Sequence, residues 1–419
     1  MKDARTTALV RGSVGILPAG ALGVGFFHHL TELSGRLDGS VVFLDRPGSS
    51  SSRAMHAAGG LRLRTGDGAE RRLEGRTVLG GNLVDRLVLG AVPDVVIVTC
   101  NPDQLLEFVT HFVEFVCEGH ARFGLERADA WLPAVLLAPN GIYFQRLRLV
   151  YGEKLEEAAV FGRLPPLWPD HLEMLLGRLL RGVTMQTGVR EGSGGDAVYR
   201  PGPAGHTKVG GGDANVRRRI VAVLAGRGAS IEDAGPARPT RLEFDKALIN
   251  LVSNLLGQLL AVDARGAFAP LEVEEILARA SDGRSLELAR HLFAVGRAVG
   301  AYGKEESPEG IHETMTAASL VNRRHVPSSL QYLGLALRAG TLRPRLTPTE
   351  QWLIEPLVRY ARSAGLDDAV AYFRGLRERL QERLRLAIAH AAAHGATRLP
   401  VAPEDGADHA VRFPSPPNP

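Results

Sequence analysis

Arg241-Leu242-Glu243-Phe244-Asp245-Lys246-Ala247-Leu248-Ile249-Asn250-Leu251-Val252-Ser253-Asn254-Leu255-Leu256-Gly257 divides the chain into two regions of different character. Ahead of it, short apolar runs that read as buried strands alternate with helical stretches; from it onward only helical periods occur. Read as one helix, the stretch advances about 100° per residue, so Lys246, Asn250, Ser253, Asn254 and Gly257 share roughly a quarter of the circumference. Almost everything else from Ala247 to Leu256 is aliphatic. A helix that is apolar nearly all round is normally buried. An unpaired buried Lys or Asn is costly, so the polar stripe must meet a satisfied network or line a cleft. The plainer alternative is an amphipathic helix with its polar face in water. Solvent faces are usually built from Glu, Lys and Arg, whereas Asn is a poor helix former that prefers caps. That composition favours the lined cleft.

The whole chain sets bounds on the answer. Its 419 residues leave room for two domains. Hydrophobic content of 45% with 23% charged residues is that of a globular protein. Lys+Arg of 50 against Asp+Glu of 46 leaves +4, spread without basic blocks, which gives no ground for a nucleic-acid partner. Cys100 and Cys117 are the only cysteines, which excludes a disulfide framework and a thiolate metal cluster. No second His stands at metal-ligand spacing from His206 or from His28-His29, so no metal is expected. The opening Met1 to Leu17 is too short and too soon interrupted for a signal peptide. No apolar run approaches a membrane span. A cytoplasmic enzyme without a membrane partner is the expectation.

In the first region, Ser13 to Leu17 reads as a buried strand, followed by Pro18-Ala19-Gly20-Ala21-Leu22-Gly23 and by Val24, Phe26, Phe27, Leu30 and Leu33 at helical spacing. Strand, glycine turn, helix is the setting of a dinucleotide fingerprint, where backbone approaches pyrophosphate at a helix N-terminus. The first glycine of that fingerprint is replaced by Pro18, and a plain βα turn is the alternative. Ser40 to Arg46 reads as a second strand. Asp45 at its end suits a ribose hydroxyl and Arg46 a 2′-phosphate, while a surface ion pair is the competing reading. Ser49 to Arg53 reads as a flexible serine-rich loop or a phosphate surround. Gly60–Thr65 and Arg71–Leu79 suggest a hairpin excursion. Asp94–Cys100 and Ala134–Ala138 read as buried parallel strands, the latter ending in Asn140-Gly141, also the commonest turn pair. Gln104 to Val116 reads as an apolar helix, with Cys117 to Asp129 as an insert. Gly182–Gly188, Ala197–Tyr199 and His206–Gly210 read as strands closing the domain, with Arg190–Gly195 a flexible turn.

The Phe-x-Lys-x-x-x-Asn-x-x-x-Asn spacing of Phe244, Lys246, Asn250 and Asn254 resembles the catalytic helix of the ketopantoate reductases (2-dehydropantoate 2-reductases), a family of pantothenate biosynthesis. Gly20-Ala21-Leu22-Gly23, Asn140-Gly141 and Pro327-Ser328-Ser329-Leu330-Gln331 are similar to further signatures of that family, in the same order. The resemblance spans roughly residues 13 to 365. It implies an NADPH-dependent reductase of a 2-oxo acid or related ketone, NAD being the lesser alternative as cofactor. Lys246 would be the proton donor; Asn140, Asn250, Asn254, Ser329 and Glu350 would bind the small-molecule substrate. Ala19, Gly20, Leu22, Gly23, Arg46 and Asn140 would bind the cofactor. Ser328-Ser329 also has a simpler reading as a helix cap.

The fold implied is an α/β Rossmann-type N-terminal domain with a parallel sheet, followed by an all-α C-terminal domain like that of 6-phosphogluconate dehydrogenase, with the active site in the crevice between them. The expected segments are a lead-in at 1–12, the dinucleotide-binding domain with inserts at 13–238, the helical domain at 239–396 and a Pro-rich disordered tail at 397–419. A homodimer is compatible with the resemblance. Three positions depart from the family pattern: Pro18, Asn101 where a Lys is common, and Thr341 where the substrate-binding Glu stands. Glu350 takes over that last role if an insertion displaces it. These departures leave open a non-catalytic homologue that uses the same cleft for binding or regulation.

Overall fold

The computed structural model describes residues 12–31, 39–46, 48–66, 68–192 and 194–394. Most of the expected lead-in, Leu33 of the first helical pattern, and the Pro-rich tail lie outside them. The chain divides into two compact units. The first gathers Met1–Cys100, Gln104–Pro139 and Gln145–Ala237; the second gathers Asn101–Asp103, Asn140–Phe144 and Arg238–Pro419.

The first unit is α/β. Its strands, in chain order, are β1 Val14–Leu17, β2 Val41–Phe43, β3 Gly60–Arg64, β4 Glu70–Glu74, β5 Val95–Val98, β6 Ala134–Leu137, β7 Leu179–Thr184, β8 Gly188–Glu191, β9 Val198–Pro201, β10 Thr207–Gly210 and β11 Ile231–Asp233. Seven of them form the main sheet in the order β11-β10-β7-β6-β5-β1-β2. Every neighbouring pair is parallel except β7 with β10, so the expected parallel sheet is mixed at this one seam. The central strands are buried along their whole length. That explains their unbroken apolar sequences, since a parallel sheet is covered on both faces. Val14, Ile16, Phe27, Phe43, Ile97, Leu136 and Val223 belong to one core cluster, in which Phe27 stacks on Phe43 at 4.6 Å between ring centroids. Because β1 pairs with β2 on one side and β5 on the other, the winding reverses beside β1, and ligands of open α/β sheets bind outside the carboxyl ends at such a point.

The expected hairpin is β3 with β4, paired antiparallel. It does not stand alone: β9 adds parallel to β3 and β8 antiparallel to β9, making a separate four-stranded sheet. The stretches at 188–191 and 197–199 therefore belong to this second sheet, not to the main one. The reason lies in alternation: Leu61, Leu63 and Tyr199 are buried in the core cluster, whereas Arg62 and Arg64 face outward to Glu70 at 2.8 and 2.6 Å. Two further readings are corrected. Helix Leu105–Phe123 extends into the stretch read as an insert, because its apolar stripe continues to Val116 and Gly119, where a Cβ would lie 2.2 Å from the ring of Trp131. The serine loop is a helix, Ser50–Ala58, whose N-cap Ser49 accepts from the Ser52 amide.

The second unit is helical. Beyond residue 262 it contains Val273–Ala280, Arg284–Ala298, Pro308–Leu320, Ser328–Arg338, Pro348–Ser363 and Asp367–His394. The stretch around Lys246 is not one regular helix. Pro239–Asn250 is α, Leu251–Leu256 is π, and Gly257–Ala261 returns to α. Ser253 accounts for part of this: its hydroxyl donates to the Ile249 carbonyl at 2.7 Å, competing with the backbone amide that an α-helix would direct there. The Gly257 amide bonds back to the Val252 carbonyl, a π-type step. Among the described residues no helix is long and apolar enough to cross a membrane.

Candidate active site

Aliphatic residues from Leu242 to Leu256 hold the Lys246 helix in the interior. Its polar stripe is buried with them: Lys246 is 9% exposed and Asn250 4% exposed. Residues four apart in an α-helix drift by about 40° around the axis. Asn250 ends the α segment and Asn254 lies within the wider π turn that follows it.

Within the stripe the hydrogen bonds run in one direction. The Ser329 hydroxyl donates to Asn254 Oδ1 at 2.9 Å, and Asn254 Nδ2 donates to Asn250 Oδ1 at 3.3 Å. In this arrangement the oxygen of each amide faces the donor before it. The end of the chain is Asn250 Nδ2, a buried donor with no partner from the protein. Leaving such a group unsatisfied is costly, which marks Asn250 Nδ2 as a donor suited to an oxygen acceptor. Ser329 is not a cap: helix Ser328–Arg338 begins after Pro327 with no side-chain cap bond.

Gln258, one turn beyond Asn254, extends the stripe and was not singled out in the sequence. Its Nε2 donates to the Asn254 carbonyl at 3.2 Å and to Glu350 Oε1. The signal was a simple continuation of the i+4 series by one step. Glu350 is 3% exposed. It stands three residues into helix Pro348–Ser363 as one half of a capping box, accepting from the Thr347 amide at 2.8 Å and its hydroxyl at 2.9 Å. Burial pushes its carboxyl above the usual range, and the bonds from Thr347 and Gln258 only partly oppose this. His325 lies near enough to feel Lys246. The protein packed around the ring lowers its proton affinity, although the residue keeps an exposed edge, and the ammonium adds to that effect.

Glu243 is a second residue that sequence reading passed over. It is 2% exposed and lies one turn ahead of Lys246 on the same helix. Its Oε1 accepts from the amides of Tyr143 at 3.2 Å and Phe144 at 3.1 Å. A carboxylate at the start of helix Phe144–Val160 satisfies orphan amides and complements the helix dipole. The Ile142 amide donates to the Trp352 carbonyl at 3.1 Å. Asn140 to Phe144 are thereby tied to the helix bearing Lys246, and Asn140 itself is partly exposed. Nothing short of the fold pairs residues 143 and 243, so no local signal announced this.

In the first unit, helix Ala21–Thr31 follows β1 through the Pro18-Ala19-Gly20 turn. The Pro18 carbonyl accepts from Thr99 Oγ1 at 3.0 Å and from the Gly20 amide at 2.9 Å. A Cβ at Gly23 would lie 2.5 Å from that carbonyl oxygen, so only glycine lets helix and turn pack this closely. A Cβ at Gly20 would meet nothing within 4 Å. These are the two separate uses of glycine in a dinucleotide turn, packing at one position and open backbone at the other, and the residues present fit a pyrophosphate. Ala19 is buried and Leu22 partly so. At the end of β2, Arg46 is 8% exposed and ion-paired with Glu107. Asp45 bonds to His56 Nε2 at 2.7 Å. Asn101 is exposed.

No protein-family model matches the sequence, and no curated protein matches it. Solved structures do. D-mandelate dehydrogenase with NADH is 16% identical with a TM-score of 0.58, covering 89% of this chain and 99% of its own. The same enzyme with NADH and anilino(oxo)acetate is 16% identical at 0.57, covering 89% and 98%. A probable 2-dehydropantoate 2-reductase from Bacillus subtilis is 17% identical at 0.50, covering 88% and 99%. The chain thus has the fold of these dehydrogenases and reductases, a Rossmann-type unit and a helical one.

Proposed function

We propose that the protein is an NADPH-dependent oxidoreductase that reduces a 2-oxo acid or related ketone to the hydroxy compound. The observation that carries this reading is the one-directional Ser329–Asn254–Asn250 chain beside buried Lys246, ending on the unpartnered Asn250 Nδ2. The reductase and dehydrogenase names of the fold relatives support it, as does the dinucleotide-type turn at Gly20 and Gly23.

When bound, the reduced nicotinamide supplies a hydride to the carbonyl carbon of the substrate. Electrons then move to the carbonyl oxygen, and the Lys246 ammonium donates the proton that completes the hydroxyl; solvent returns a proton to the amine. A donor placed in this way contributes typically 10²–10⁴ in rate. Asn250 Nδ2 donates to the same oxygen or to the substrate carboxylate, and Ser329 and Asn254 keep it turned that way. Losing a preorganised donor typically costs about 3 kcal/mol at the transition state. Glu350 holds Gln258 toward Asn254, and its carboxylate has acceptor capacity left for a substrate hydroxyl. Asn140, on the Glu243-tethered segment, is assigned to the nicotinamide and the substrate. Ala19, Gly20, Leu22 and Gly23 hold the pyrophosphate, and Arg46 takes the 2′-phosphate.

The test is a screen of 2-oxo acids with NADPH and NADH. Consumption of the reduced cofactor with one of them, lost in Asn250→Ala, is the expected result. A native protein that binds dinucleotide yet reduces none would favour a binding role instead.

A further inference from the structure

Arg46 lies at the carboxyl end of β2, where in a dinucleotide-binding unit the 2′ position of the adenosine ribose is read. Its guanidinium is already engaged: Nη1 donates to Glu107 Oε2. Glu107 comes from the first turn of helix Leu105–Phe123, is 43% exposed, and has His111 Nε2 at 3.7 Å as a second neighbour. The other edge of Arg46 is different. Nε is buried and has no partner in the protein. Asp45 alongside is held by His56 at 2.7 Å. The end of β2 thus has a cation with one edge engaged by the chain's own carboxylate and a buried Nε donor that no protein acceptor meets.

We propose that Glu107 is the specificity-determining residue for the cofactor, restraining the preference that Arg46 creates for a 2′-phosphorylated dinucleotide. This rests on the dinucleotide-binding reading given above. A guanidinium has five N–H donors and can serve two anions at once, so the Glu107 pair does not forbid a phosphate. It does place a carboxylate within a few ångströms of a phosphate dianion, and like charges at that distance repel appreciably even near the surface. A ribose with a free 2′-hydroxyl meets no such repulsion. The native site is therefore built to accept both cofactors with a modest bias.

Dissociation constants for NADPH and NADH, read from protein fluorescence quenching at two ionic strengths, test this in the native protein, Glu107→Gln and Arg46→Ala. Glu107→Gln should raise the NADPH-over-NADH selectivity roughly tenfold, more at low salt than at high. Arg46→Ala combined with Glu107→Gln should lose that gain, because the cation that profits from it is gone. Unchanged selectivity in Glu107→Gln would overturn the proposal, and so would a decrease, which would make Glu107 a support for the phosphate site. If the folded native protein binds neither cofactor, the dinucleotide reading itself fails and takes the proposal with it.

Discussion

Asn250, Glu350 and the two glycines of the turn show how single residues carry different burdens here. Gly23→Ala would force a Cβ to 2.5 Å from the Pro18 carbonyl, so it should destabilise the fold by about 1–3 kcal/mol, read as a lowered denaturation midpoint. Gly20→Ala has open space and should leave stability within about 0.5 kcal/mol while weakening dinucleotide binding. Equal effects on stability would remove the distinction drawn between the two positions. Glu350 provides a pH test. Its folded-state pKa is raised from 4.5. Below that value the carboxyl is protonated in both states and its contribution is fully present. As pH climbs past 4.5, the unfolded chain releases its proton first, and the contribution is lost until the folded group also ionises. The native protein should therefore lose stability relative to Glu350→Gln as pH rises through this window. A difference that stays constant from about pH 4 to 8 would show that burial does not govern this carboxyl.

At the level of elements, the six helices after residue 262 and the main-sheet strands other than β7, which begins at Leu179 and not at Gly182, were legible because each has its own period or unbroken apolar run. Leu105–Phe123 and Ser50–Ala58 were misjudged where polar residues on the solvent face hid a continuing stripe. Strand β9 was read as a strand closing the domain and the second half of β8 as a flexible turn, since pairing with a hairpin more than a hundred residues earlier leaves no local mark. The site was legible in the same uneven way. Lys246, Asn250 and Asn254 stood out by spacing, whereas the π segment among them did not, because it depends on how Ser253 bonds to the backbone. Glu243 was hidden altogether. Its role predicts that Glu243→Ala, which strands the Tyr143 and Phe144 amides in a buried position, costs about 2–4 kcal/mol in denaturant unfolding. Glu243→Gln, which keeps an acceptor, should cost less than half as much. Equal losses from both would mean that the carboxylate does not tether the 140–144 segment.

The two units divide the chemistry of the proposed reaction. The first has the turn that fits a pyrophosphate, and the second has the buried Lys246 with its ordered amides. Neither half of that division rests on composition, which said only that a chain of 419 residues has room for two domains. It rests on Gly20 and Gly23 being separable in what surrounds them, and on a hydrogen-bond chain with a defined end. The central claim is that Lys246 supplies the proton, and it is tested most directly by Lys246→Ala. With a ketone substrate identified from the 2-oxo acid screen, turnover of the folded variant is compared with the native protein, and NADPH affinity is measured on both. Turnover should fall roughly 10²-fold or more with cofactor affinity nearly unchanged. A folded Lys246→Ala protein that turns over at the native rate would contradict the account and leave the polar stripe as a satisfied core network.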